Sequence, residues 1–243
     1  MKNLKNKRPE KKKIPMVDYR GFRLRELRSP RFSHLLLLLY WPVYGLLFLY
    51  VERFYPVAHY HEVRCALDGL IPFNEFFLIP YLFWFVFLVG MLLYTLLYDT
   101  DCFRKLMNFI MFTYTAAIVV YFIFPNCQNL RPEQFQRDNL LTRFMAWFYA
   151  FDTNTNVCPS IHVIGSLAVM FAAWNTERFK SPGWKLAFAI TAVLISVSTA
   201  FLKQHSCVDI VMALPVCILG YFLCFKGRKS VPSAVSGTRR QHT

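Results

Sequence analysis

Six stretches of this chain are apolar and free of formal charge, and polar or basic residues gather between them. Residues 35–51, 76–98 and 106–130 each run long enough to cross a hydrocarbon core of about 30 Å at about 1.5 Å per residue. The second half is less even. Residues 153–176 carry no formal charge but open on a polar stretch with a proline, which predicts a helix from near His162 to near Trp174. Residues 186–202 and 210–225 are shorter, and they span if their polar ends lie at the interface or line a protected cavity. The run 144–151, FMAWFYAF, is too short to span. It predicts an aromatic-rich helix lying at the membrane surface, or alternatively a buried loop helix.

Composition agrees with that pattern. Of 243 residues 56% are hydrophobic and 17% charged, against about 45–50% and about 25% in soluble domains. The net charge of +14 raises nucleic-acid binding, yet twelve of the 28 Lys and Arg fall within residues 1–33 and five more follow Phe225. Basic flanks are what the positive-inside rule needs, and no nucleic-acid-binding module accompanies them. Arg104 and Lys105 between the second and third segments, and Arg178, Lys180 and Lys185 between the fourth and fifth, belong on the same side as the basic ends. The expectation is an all-α, multi-pass membrane protein. A basic cytoplasmic segment at 1–33 precedes a six-helix domain at 34–226, and a basic tail follows at 227–243. Both termini are expected in the cytoplasm, with residues 1–20 and 230–243 disordered and no cleavable signal peptide.

Ionisable residues beside apolar segments are costly and mark pathways or sites. Three such clusters fall on the expected non-cytoplasmic face: Asn129 to Pro132, Asn156 to His162, and Ser198 to Asp209. His205 and Asp209 are four apart, so a helix starting near Ser206 would put them on one face. The carboxylate would then hold one ring nitrogen and free the other to attack. His162 is placed to protonate a leaving oxygen. Arg131 and Lys203 supply positive charge for a phosphoryl group, and the start of the fourth helix offers backbone N–H groups. Taken singly, each of these signals also has an ordinary structural explanation as a helix cap or an interfacial arginine.

In combination they resemble the type 2 phosphatidic acid phosphatase superfamily. Its motif Pro-Ser-Gly-His is similar to Pro159-Ser160-Ile161-His162. Its motif Ser-Arg, five residues, His, three residues, Asp is similar to Ser198, Thr199, His205 and Asp209. Its first motif survives as Arg131-Pro132, with Phe124 where Lys is expected. Pro-Ser-Ile-His and Phe201-Leu202-Lys203-Gln204-His205 look closest to the inositolphosphorylceramide synthase-like branch. The resemblance covers roughly residues 80–225.

The resemblance implies a metal-independent phosphoryl transfer without a cofactor, in a six-helix core whose site opens at the outer membrane face. His205 would be the nucleophile, Asp209 its orienting partner and His162 the acid and base. Arg131, Lys203, Ser160 and Gln204 would bind phosphate, with Lys203 standing in for the missing third-motif Arg. A lipid phosphate is the implied substrate and the bilayer the implied partner, with a plasma membrane the expected setting. Water as acceptor gives a phosphatase, a lipid alcohol gives a phosphotransferase, and a transporter or scaffold on the same fold is the reading from another class. The seven Cys show no metal-ligand spacing. Cys127 and Cys158 flank the clusters, and a disulfide between them stays open.

Overall fold

The computed structural model describes residues 16–226, and the expected tails at 1–15 and 227–243 lie outside the described residues. Residues 17–20, expected to be disordered, are anchored. The Val17 N–H donates to Leu97 O (2.7 Å), and the Tyr19 hydroxyl meets Leu96 O (2.7 Å) and His34 Nε2 (2.8 Å).

Eight α-helices are found among the described residues: α1 Tyr40–Arg53, α2 Ala66–Leu70, α3 Leu78–Tyr98, α4 Thr100–Ile123, α5 Leu140–Phe151, α6 Ile161–Asn175, α7 Pro182–Phe201 and α8 Cys207–Tyr221. A 3-10 segment at Ser33–Leu39 leads into α1, another at Glu75–Phe77 leads into α3, and a π-turn at Phe222–Lys226 extends α8. With these extensions five helices are long and apolar enough to cross a membrane, and α6 is a shorter apolar helix. Their outward faces carry residues such as Leu46, Val86, Val193 and Leu219, all exposed. Apolar residues on both inner and outer faces are what a helix bundle in lipid requires.

The expected third segment is displaced. Rather than 106–130, α4 begins at Thr100, capped by Asp99, whose Oδ1 accepts the Cys102 N–H at 3.0 Å. Arg104 and Lys105 therefore sit in its first turns and not in a loop. Arg104 Nη2 reaches back to Pro30 O (3.2 Å) and Ser33 Oγ (3.0 Å), as a long cationic side chain at a helix end does. The helix stops at Ile123 because Pro125 forces the residue before it out of the helical region. Beyond it the chain is extended, and Asn126–Cys127 (β2) pairs in parallel with His61–Glu62 (β1). This small ladder is the described departure from an all-α chain.

The helix α6 sits at the centre, against α3, α4, α7 and α8. Gly165, Ala168, Ala172 and Ala173 on it are buried, and such small residues let helices approach closely. At Gly165 the approach is tightest, since a Cβ there would lie 2.8 Å from Trp84 Nε1 and 2.8 Å from Tyr114 Oη. Gly165→Ala is expected to cost about 1–3 kcal/mol by overpacking. Unfolding in detergent, compared with Gly45→Ala where nothing lies within 4 Å, checks this.

The aromatic helix α5 begins earlier than the run 144–151, because Asn139 caps it through the N–H groups of Leu141 (3.0 Å) and Thr142 (3.1 Å). Met145 on its inner face is buried with Leu78, Tyr81 and Leu202, while Trp147 and Phe151 are exposed. Its Tyr149 hydroxyl donates to Leu202 O (2.6 Å), which holds it beside the turn that leads into α8.

Candidate active site

The sequence from His205 to Asp209 builds the start of α8. Ser206 is the N-cap, its Oγ accepting the Val208 N–H (3.1 Å), and Asp209 returns Oδ2 to the Ser206 N–H (2.8 Å). This reciprocal capping box fixes Asp209 at the third helical position. The same Oδ2 lies 3.2 Å from His205 Nδ1. His205 precedes the cap, so the pair does not share a helical face as expected. The turn into α8 brings the two together instead. Asp209 is fully buried, and the Cys158 thiol lies against it. Burial and then that carboxylate push the Cys158 thiol up to about 12.

The start of α6 is locked to the start of α8, because the Ser160 N–H donates to Asp209 O (3.2 Å). His162, in the first turn of α6, is stacked on Tyr81 with centroids 4.5 Å apart and lies 4.6 Å from the Trp84 ring. Its Nδ1 is 3.4 Å from His205 Nε2. With Nδ1–H of His205 given to Asp209, its Nε2 keeps the lone pair and faces His162. Asp209, His205 and His162 thus form one row.

That row opens on a cavity of about 50 Å³, lined also by Gln204, Asn156, Glu52 and Tyr121. Room for one water needs roughly 10–15 Å³, so the space suits a small polar group. Gln204 Nε2 on its wall is buried without a hydrogen-bond partner among the described residues, and the Asn156 amide meets the Glu52 carboxyl. Buried polar atoms are paired in the great majority of cases. Asn156 also holds a left-handed φ of 52°, a conformation found at sites that the surroundings over-determine.

The expected phosphate ligands separate into three groups. Gln204 lines the cavity. Arg131 stands behind it, donating from Nη2 to Gln204 Oε1 (2.7 Å) and Thr153 O (2.7 Å), and from Nη1 to Asp152 O (2.8 Å) and Tyr149 O (3.1 Å). Its plane covers the Tyr149 ring at 4.6 Å. Arg131 is therefore a strut that aims Gln204. Burial pushes the Asp152 carboxyl up, and Arg131 works against that.

Lys203 and Ser160 are turned away from this cavity, and Lys203 lines instead the larger one of about 310 Å³ beside it. Lys203 has a left-handed φ of 52°, and this sends Nζ to Asp68 O (2.7 Å) and Ile71 O (2.5 Å) on the far side of the turn. Ser160 is fully buried, with Oγ 3.4 Å from the Val163 N–H it caps. Phe124, where the resembling family has Lys, stacks on His61 at 4.7 Å and brings no charge. Cys127 and Cys158 are free thiols, not a disulfide. Cys127 is half-buried in the β ladder, whereas Cys158 packs under α8 against Asp209.

Asp68 escaped the sequence reading. Its carboxylate accepts from Ser206 Oγ (2.6 Å), the Cys207 N–H (2.8 Å) and the Cys65 N–H (2.8 Å). Burial works to raise its pKa, and those three donors together with the Cys207 thiol bring it below the usual carboxylate value. In sequence it was one loop acid among several.

No family model, curated protein or solved structure matches this chain.

Proposed function

We propose that the chain is an integral membrane lipid phosphatase that works through a phosphohistidine on His205, with the six-helix core of the type 2 phosphatidic acid phosphatase superfamily. The observation that carries this is the buried row Asp209, His205, His162 opening on a cavity lined by polar side chains. His205 Nε2 attacks phosphorus while the bond from phosphorus to the lipid oxygen breaks, and His162 gives that oxygen its proton. Asp209 stabilises the imidazolium that forms. His162 then takes a proton from water, which attacks the phosphohistidine and releases phosphate with His205 restored. At 3.4 Å the two ring nitrogens leave no room for phosphorus between them, so substrate parts the rings.

In this reading α6 makes the sixth crossing. Arg104, held to Pro30 and Ser33, and the basic residues Arg178, Lys180 and Lys185 gather at one end, and the row lies at the other. The positive-inside rule puts the row on the non-cytoplasmic face, with the plasma membrane as the setting. Labelling from outside the cell, in a background with native Cys replaced, is expected to modify a Cys at Asp138 and not one at Lys180, both exposed. The reverse pattern would invert the orientation.

A second reading is transfer of the phosphoryl or head group to a lipid alcohol. A cavity of about 310 Å³ beside the strut, lined by Asn74, Glu75, Gln134, Gln136 and Arg137, favours it by offering polar space for an acceptor. Incubating purified protein with labelled phosphatidate, isoprenyl diphosphate, and ceramide with phosphoinositide separates the two, by released phosphate against transferred head group.

His162→Ala is expected to slow an alkyl phosphate far more than an aryl phosphate, because a general acid matters in proportion to the basicity of the leaving oxygen. Loss equal for both substrates would remove His162 from that role.

A further inference from the structure

The site faces a second cluster that the proposed reaction does not use. Cys65 in the loop before α2 and Cys207 in the first turn of α8 present their sulfurs, together with a carboxylate oxygen of Asp68, all within 4.8 Å of one another. We propose that Cys65 and Cys207 are a redox pair, forming a disulfide that ties the 54–74 loop to the start of α8. Its formation in cells rests on the orientation proposed above.

One buried carboxylate sets the two cysteines in register. Asp68 Oδ2 accepts the Cys65 N–H and Oδ1 accepts the Cys207 N–H, each at 2.8 Å, so both backbones are clamped on a single group. The two thiols are in contact and half-buried. A disulfide needs sulfurs about 2.05 Å apart, and rotation of the two side chains on that fixed frame supplies the approach. A metal fits less well. The oxygens of Asp68 already take hydrogen bonds from two backbone N–H groups, from Ser206 Oγ and from the Cys207 thiol. The Lys203 ammonium, fixed on the carbonyls of Asp68 and Ile71, would also stand beside a dication. A disulfide is neutral once formed, and because burial and then the Asp68 carboxylate push the Cys207 thiol up to about 12, Cys65 is the cysteine that attacks first.

The oxidant is a disulfide of the glutathione or protein class. The Cys65 thiolate attacks a sulfur of oxidised glutathione, forming a mixed disulfide and expelling one glutathione thiolate. The Cys207 sulfur attacks the protein-bound sulfur as its proton passes to the expelled thiolate, and the other glutathione leaves. The two cysteines together lose two electrons and two protons, and one glutathione disulfide becomes two thiols. The bond would hold Ser206, and through it Asp209 and His205, on a cross-linked frame.

The test is oxidation of the purified full chain with glutathione disulfide, followed by alkylation and mass spectrometry. The expected result is an intact mass lower by about 2 Da, a linked peptide containing Cys65 and Cys207, and glutathione adducts instead in Cys65→Ser and in Cys207→Ser. Alkylation of both cysteines after oxidation overturns the pairing, as does stoichiometric zinc that Cys207→Ser releases. Cells alkylated before lysis are expected to show the same link, since this end would face an oxidising compartment. A link made by the purified chain and missing in cells overturns the orientation and leaves the pairing standing.

Discussion

His205→Ala is expected to reduce turnover by about 10³-fold or more, as removing a nucleophile from a concerted set does, while the protein still folds. The side chain lies before the helix cap, and among the described residues its two ring nitrogens meet Asp209 Oδ2 and His162 Nδ1. Asp209 Oδ2 keeps the Ser206 N–H, and the capping box that starts α8 survives. Turnover of a lipid phosphate and thermal unfolding in the same detergent measure both halves. More than a tenth of the activity remaining would sink the nucleophile assignment, and unfolding would make the residue structural.

Arg131→Ala is expected to remove activity and about 1–3 kcal/mol of stability together. The guanidinium joins α5, the following turn and Gln204 through four acceptors: Tyr149 O, Asp152 O, Thr153 O and Gln204 Oε1. Its side chain is 16% exposed, so water replaces those donors poorly. Arg131→Lys is expected to recover little, because one ammonium on a flexible stem cannot fill a planar fork. Chemical unfolding of the three proteins decides it. A loss below about 0.5 kcal/mol, the ordinary size of a surface change, would show that the strut bears no strain.

The helices most legible in the sequence are those whose ends are written in local chemistry. The expected stretch 76–98 became α3, and the helix expected from near His162 to near Trp174 became α6, because Ser160 caps it where the polar run ends. The start of α4 was hidden because Arg104 and Lys105 look like a loop, while their long side chains tolerate a helix end. At the site, the four-residue spacing of His205 and Asp209 was readable, but the pairing comes from a turn into α8 and not from a helical face. Lys203 was misjudged because its left-handed φ reverses the side chain, and no neighbour in sequence announces that. Asp68 and Asn156 acquire their roles from contacts across long separations. Asp68 meets Ser206 138 residues away, which periodicity and motif spacing cannot encode.

Trapping the covalent intermediate tests the phosphoryl-transfer mechanism most directly. Purified protein mixed with phosphorus-labelled lipid phosphate, quenched in alkali within the first turnovers and digested, is expected to yield a phosphohistidine peptide containing His205. His162→Ala is expected to raise its level when an aryl phosphate is the donor, because water attack on the intermediate then lacks its base. A label on any other residue, or turnover with no labelled peptide in either protein, would contradict the mechanism.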